Sequence, residues 1–196
     1  YCEVDPQEFA TIDRLQAAGA RLVEYRVVMH RLLGNHMAEP SKPAADAWVV
    51  EDSVRDADLP GLNAICRDLA HWSRFAADGH FGQAGSERLY AQWLRHSLEG
   101  GADKVYVARQ NDDVAGFVTL KCTGDLAQVI LLGVNTAQRG LGIGARLLAT
   151  GLAWAARQAP EVELVTQARN VTALRLYERS GMLVKRVTCF FHLWFE

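Results

Sequence analysis

The sequence predicts an α/β chain with antiparallel hairpins early and a crossover late, and three observations predict it. Strand-like apolar runs alternate with amphipathic helical stretches, without an internal repeat or a low-complexity tract. Three strand-like runs, 104–109, 114–120 and 126–134, follow one another across short turns, which suits antiparallel neighbours. A long helical stretch over 142–157 then separates residues 126–134 from a short strand at 163–166, the spacing of a crossover.

Residues 6–18 form an expected helix, with Phe9, Ile12 and Leu15 at helical spacing and Gly19 ending it. Residues 21–31 alternate as a strand through Leu22, Tyr25, Val27 and Met29. Residues 34–46 hold two prolines, small residues and few large apolar ones, and are expected as a linker. A strand begins at Trp48, and residues 56–70 carry Leu59, Leu62, Ile65, Cys66 and Leu69 as a helix. Residues 71–83 look irregular and are rich in aromatic, His and Arg groups. The following helix is expected over 86–98, with Ser86 as its cap and Leu89, Tyr90, Trp93 and Leu94 on one side. Asn111, Asp112 and Asp113 form the first hairpin turn. Residues 170–180 form the last helix and 183–195 an apolar, β-prone end.

A chain of 196 residues can bury one domain and carry an extra piece. The formal net charge of −2 argues against a nucleic-acid binder that works by neutralising phosphates. Cys2, Cys66, Cys122 and Cys189 are scattered without a Cys-x-x-Cys pair, which suits thiols in a reducing compartment and an expected cytoplasmic location. No apolar run approaches the roughly 20 residues of a membrane span. The cysteines and histidines show no zinc spacing, so no metal is expected. The chain opens at Tyr1 and not at Met, so the natural start is expected upstream. A homodimer is compatible with all of this.

Chemistry is written most clearly in Arg139-Gly140-Leu141-Gly142-Ile143-Gly144, between the strand ending at Val134 and the long helix. Glycines at that junction remove Cβ atoms, so backbone N–H groups can approach an anion at the helix N-terminus. Successive amides form an anion nest, which the helix dipole reinforces. A glycine-rich turn without any ligand is the plain alternative. The run Gly140-x-Gly142-x-x-Ala145 also fits a dinucleotide fingerprint, but weakly. That fingerprint wants its first glycine directly after the strand and an acidic residue at the end of the next one. Here five residues separate Val134 from Gly140, and the next strand ends in Thr166-Gln167.

Arg139-x-x-Gly142-x-Gly144 resembles the pyrophosphate-binding signature of the GNAT family of N-acetyltransferases, and Asn170-x-x-Ala173-x-x-x-Tyr177-x-x-x-Gly181-Met182 resembles a second segment of that family. The resemblance covers about residues 47–196. It implies a mostly antiparallel mixed sheet, splayed at the cofactor site, with helices on both faces. Residues 1–33 then read as a partial N-terminal segment. A narrower resemblance is to the branch containing TDP-fucosamine acetyltransferase, through Ser73-Arg74-Phe75, Phe81, Leu89-Tyr90-x-x-Trp93 and Thr166-Gln167-Ala168-x-Asn170. Enzymes of that kind acetylate the amine of a nucleotide-linked 4-amino-6-deoxy sugar.

The resemblance implies acetyl-CoA as donor and a small-molecule primary amine as acceptor. Arg139, Gly140, Leu141, Gly142, Ile143 and Gly144 would meet the coenzyme pyrophosphate. Backbone groups of Leu132, Gly133 and Val134 would pair with the pantetheine arm as an added strand. Gly133 hints at a bulge there. Asn170 is both a good helix cap and a family contact to the coenzyme. Tyr177, two helical turns after Asn170, is the expected proton donor to the departing thiolate. Arg74, Phe75 and His80 are candidates for the acceptor.

The general base is the gap in this assignment. The strand 126–134 offers only Gln128 as a polar side chain, which leaves His80, Asp78, His71 or a water relay. A coenzyme A-binding sensor without catalysis therefore stays open, and an intact Tyr177 speaks against it.

Overall fold

The computed structural model describes residues 1–34 and 48–195, so nearly all of the expected linker lies outside the described residues. The described strands form one sheet in the order β1-β8-β2-β7-β6-β5-β4-β3. They are β1 (Cys2–Val4), β2 (Arg21–Leu32), β3 (Val49–Glu51), β4 (Lys104–Gln110), β5 (Asp113–Thr123), β6 (Leu126–Val134), β7 (Glu161–Gln167) and β8 (Leu183–His192). The helices are α1 (Phe9–Ala17), α2 (Leu59–Ala70), α3 (Arg74–Ala77), α4 (Gly82–His96), α5 (Ile143–Ala155) and α6 (Val171–Arg179). Among the described residues every strand pairing is antiparallel except β6 with β7, which α5 connects as the expected crossover. This is the mixed, mostly antiparallel α/β sheet that the sequence predicts.

Helices cover both faces. On one face α5 supplies Ile143, Leu147, Leu148 and Leu152 to a core shared with Val118, Leu120, Ala127, Val129 and Leu164. On the other, Leu62, Ile65 and Cys66 of α2 and Tyr90 and Leu94 of α4 pack on Val107, Phe117 and Leu131. Burial of this kind is worth about 25 cal/mol per Å² of apolar surface and is the main force holding the layers together.

Asn111 does make the β4–β5 turn, with a positive φ of 56°. Two local expectations fail. Residues 71–83 are not irregular throughout. Ser73 caps α3 by accepting a bond from the Ala76 N–H at 3.1 Å, and α4 already begins at Gly82. Ser86 therefore caps nothing. It is buried within α4, where its hydroxyl donates to the Ala70 carbonyl and lies 2.6 Å from the Ser73 hydroxyl. A cap residue and a small buried hydrogen-bonding residue look alike in sequence, and here the helix packing of α4 on α2 decides.

β2 sits between β7 and β8. Its residues 26–32 pair with β7, and 21–30 pair with β8. Residues 1–33 thus share the sheet with the rest of the chain. A salt-bridge cluster anchors the start of α2 to β4: buried Arg109 binds buried Asp58 and also Glu51 at 2.7 Å.

Candidate active site

β6 and β7 run together only from Leu126 with Glu161 to Val129 with Leu164. Beyond Val129 the two strands part. β6 carries on along β5 as far as Val134, while β7 carries on along β2 as far as Gln167. A free backbone edge therefore opens in mid-sheet over residues 130–134.

The orientation of that edge follows from alternation. Asn135 N–H donates to the Ala115 carbonyl at 2.8 Å, so it faces β5. In an extended strand the N–H and C=O of Val134 and Leu132 then face the opposite way, into the gap. The expected bulge at Gly133 is absent. Gly133 stands opposite Phe117 in regular register, and the register shift falls where Leu131 faces Thr119 and Val129 faces Leu120, leaving Ile130 extra. That insertion switches the faces: Ala127 and Val129 look toward α5, Leu131 toward α2. Gly133 is explained by close packing instead, since a Cβ there would lie 2.4 Å from Ile65 Cγ2 of α2.

The glycine loop follows directly. Gly140 and Gly142 have φ of +84° and +81°, a left-handed conformation that costs other residues about 1–2 kcal/mol, and a Cβ at either would meet nothing within 4 Å. Gly142 is the N-cap of α5 and offers no side chain to cap it. Arg146 N–H makes the first bond back, to Gly142 O, so the N–H groups of Ile143, Gly144 and Ala145 have no acceptor within the helix. At Gly144 an added Cβ would lie 3.4 Å from Val134 and 3.5 Å from Leu176, so the end of β6, the first turn of α5 and α6 meet there. Leu141 is exposed at the loop tip. Arg139 has partners of its own: its Nε–H donates to the Val134 carbonyl at 3.3 Å and its guanidinium lies 3.6 Å from Asp68.

Asn170 caps α6, its Oδ1 accepting from the Ala173 N–H at 3.2 Å. Tyr177 is buried among the apolar side chains of the α5 face, and that burial pushes its phenol up to about 12. The hydroxyl therefore stays protonated through the whole working range of pH.

On the opposite side of the gap lies a cleft of about 410 Å³. Its near wall is Gln128 and Ile130 of β6 with Glu163 and Val165 of β7. Its far wall is Glu24 and Arg26 of β2 with Arg74 and Phe75 of α3 and Tyr90 and Trp93 of α4. Of the three acceptor candidates, Arg74 and Phe75 line this cleft and His80 does not. His80 is exposed, stacks on Trp194 with ring centroids 4.9 Å apart and lies outside the cleft.

The other proposed bases also lie elsewhere. Asp78 is buried and committed to His192 Nδ1, to Trp194 Nε1–H at 3.0 Å and to the His80 N–H at 3.0 Å. Burial opposes its charge, yet these donors hold it at about 2. His71 is exposed, and its carbonyl accepts from Arg169. The carboxylates that do line the cleft are Glu24 and Glu163, and neither is among the bases expected from the sequence. Burial raises the Glu24 carboxyl, against the charges of Arg74 and Arg26 and hydrogen bonds from the Arg74 backbone and Gln167. Glu163 is bound to Lys185. Arg169, also unnamed, clamps the β7–α6 loop to the start of α3 through the carbonyls of Trp72 at 2.8 Å and Ser73 at 2.9 Å.

Residues 66–182 match the acetyltransferase (GNAT) family. The chain is 29% identical over 138 residues to the spore coat polysaccharide biosynthesis protein SpsD of Bacillus subtilis, covering 70% of this chain and 48% of that protein. It is 30% identical over 173 residues to a mycothiol acetyltransferase of Gordonia bronchialis, covering 84% of this chain and 54% of that one. The chain spans about half the length of these relatives. A solved GCN5-related N-acetyltransferase from Sphaerobacter thermophilus superposes with a TM-score of 0.69 at 21% identity, over 96% of this chain and 57% of that one.

Proposed function

Because the chain belongs to the GNAT family of acetyltransferases, we propose that it transfers an acetyl group from acetyl-CoA to a primary amine of a small molecule, with a nucleotide-linked 4-amino-6-deoxy sugar as the leading acceptor. The observation that carries this reading is the free β6 edge running straight into a bare helix N-terminus through two left-handed glycines. The open space where Cβ atoms at Gly140 and Gly142 would stand fits a pyrophosphate, and the unbonded amides of Ile143, Gly144 and Ala145 are donors for it.

Acetyl-CoA would bring a thioester that an amine can attack directly, without a covalent enzyme intermediate. The backbone groups of Leu132 and the N–H of Val134 would hold the pantetheine arm as an added strand and offer an N–H to the developing oxyanion. Asn170 fixes the start of α6, Tyr177 donates its proton to the leaving thiolate, and water takes up the proton that the attacking amine releases. Arg139 acts indirectly, by bracing the loop through Val134 and Asp68. A polysaccharide-biosynthesis protein among the relatives supports a sugar amine, and the mycothiol acetyltransferases support a small-molecule acceptor.

Calorimetric titration with acetyl-CoA, and separately with NADH, tests the donor. Saturable acetyl-CoA binding with NADH silent is expected, and silence toward acetyl-CoA would sink the reading. Thiol release in a screen of amines led by TDP-linked amino sugars then tests the acceptor. Inactivity with those sugars beside activity on other amines would replace the leading acceptor.

A further inference from the structure

The far wall of the cleft is charged in an unbalanced way. Arg26 and Arg74 come from elements distant in sequence, yet both lie over the buried Phe190 ring, with guanidinium carbons 5.0 and 4.5 Å from its centroid. The Nε of each is buried and has no hydrogen-bond partner among the described residues. The cleft carboxylate whose charge acts on Arg74 is Glu24. The other cleft carboxylate, Glu163, is already bound to Lys185. Two cations thus face one carboxylate, itself hydrogen-bonded to Gln167 and the Arg74 backbone, in a partly dehydrated cleft, with planar donors left over. A guanidinium in that state suits a phosphate or a carboxylate, which it can bind with paired, charge-assisted hydrogen bonds.

Position along the strands adds to this. Arg26 stands opposite Gln167, at the last residue of β7, and Glu24 lies two residues further along the same face of β2. Gln128 stands beside Glu163 where β6 and β7 still pair. Arg26 therefore lies at the open end of the cleft, beyond the last pair of β6 with β7 and across the gap from the free β6 edge. Resting on the acetyltransferase reading, we propose that the acceptor carries an anionic group bound by Arg26 and Arg74, so that β2, outside the matched residues 66–182, sets acceptor specificity.

The test compares thiol release with four amines: glucosamine, glucosamine 6-phosphate, muramic acid and a TDP-linked 4-amino-6-deoxy sugar. The phosphate and carboxylate arms distinguish the two sources of the anion. At least one anionic amine is expected to exceed glucosamine about tenfold or more in kcat/KM. Arg26→Gln and Arg74→Gln should each reduce that preference severalfold or more, mainly through KM, with partial rescue by Arg26→Lys. Acetyl-CoA affinity serves as the folding control and should stay unchanged. A preference that survives both variants, or equal use of neutral and anionic amines, overturns the proposal. If none of the four is turned over, calorimetry with inorganic pyrophosphate and with muramic acid on coenzyme A-saturated protein decides. Heat lost in Arg26→Gln supports the site, and no heat overturns it. Failure to bind acetyl-CoA at all is the separate result that overturns the enzyme reading.

Discussion

The two sides of the gap between β6 and β7 are built from different materials. The donor side is backbone: a free strand edge, two left-handed glycines and an uncapped helix start, all within residues 130–146. The acceptor side is side chain: Glu24 and Arg26 from β2, Arg74 and Phe75 from α3, Glu163 and Val165 from β7. Backbone recognises what every member of a family shares, because it is insensitive to most substitutions. Side chains drawn from separate segments can change one at a time, so under the proposed function one acceptor would be told from another there.

If this division is right, the largest effect on chemistry should come from one side chain on the donor side. Tyr177→Phe should keep acetyl-CoA binding and lower turnover by roughly 10²–10⁴-fold, the scale of a lost general acid. Unchanged turnover in steady-state assays would remove Tyr177 from the mechanism. With its phenol held up at about 12, Tyr177 should also give no alkaline fall in the pH–rate profile below about pH 10.

Two glycines separate packing from binding. Gly133→Ala drives a Cβ to 2.4 Å from Ile65 and should cost about 1–3 kcal/mol of stability, read as a fall in Tm. Gly142→Ala meets open space but is strained at φ +81°, so its cost should appear in the loop as roughly tenfold weaker acetyl-CoA binding. The reverse pattern, with Gly142→Ala destabilising and Gly133→Ala harmless, would break the assignment of the loop.

The acceptor side has its own acid limit. Asp78 is lowered from 3.8 to about 2, so its contribution is complete above about pH 4 and is lost as pH falls toward 2. That contribution is on the order of 2 kcal/mol. Asp78→Asn should lower Tm at pH 7 and flatten the stability loss between pH 4 and 2. Hydrogen exchange should quicken in residues 71–82 before it does in the glycine loop. Exchange quickening first in the glycine loop would show that the two sides are not independent.

The same division explains what could be read in the chain beforehand. Glycine spacing, the crossover and the Asn170–Tyr177 interval are local, so the glycine loop before α5 and the helix α6 are legible as elements. Glu24 and Arg26 are not, because a carboxylate and a guanidinium on a predicted strand say nothing until the strand has neighbours. Ser86 and Gly133 were misread for a related reason: what fixes them is a contact with α2, far away in the sequence. Asp78 and His80 looked like catalytic candidates by residue type, but Asp78 ties the end of α3 to β8 and His80 lies on Trp194.

The placement of β2 also bears on the order in which the molecule can assemble. β4, β5, β6 and α5 are close in sequence and can find one another as soon as they are made. β2 is synthesised long before them, yet its partners are β7 and β8, the last of the described strands to appear. Closing so long a loop is slow and entropically costly until both partners exist. On the ribosome, the half that would hold the coenzyme can therefore form while the acceptor wall is still in pieces. Until β8 arrives, the growing chain carries unpaired strand edges on both β2 and β1, and that interval is its period of greatest exposure to aggregation.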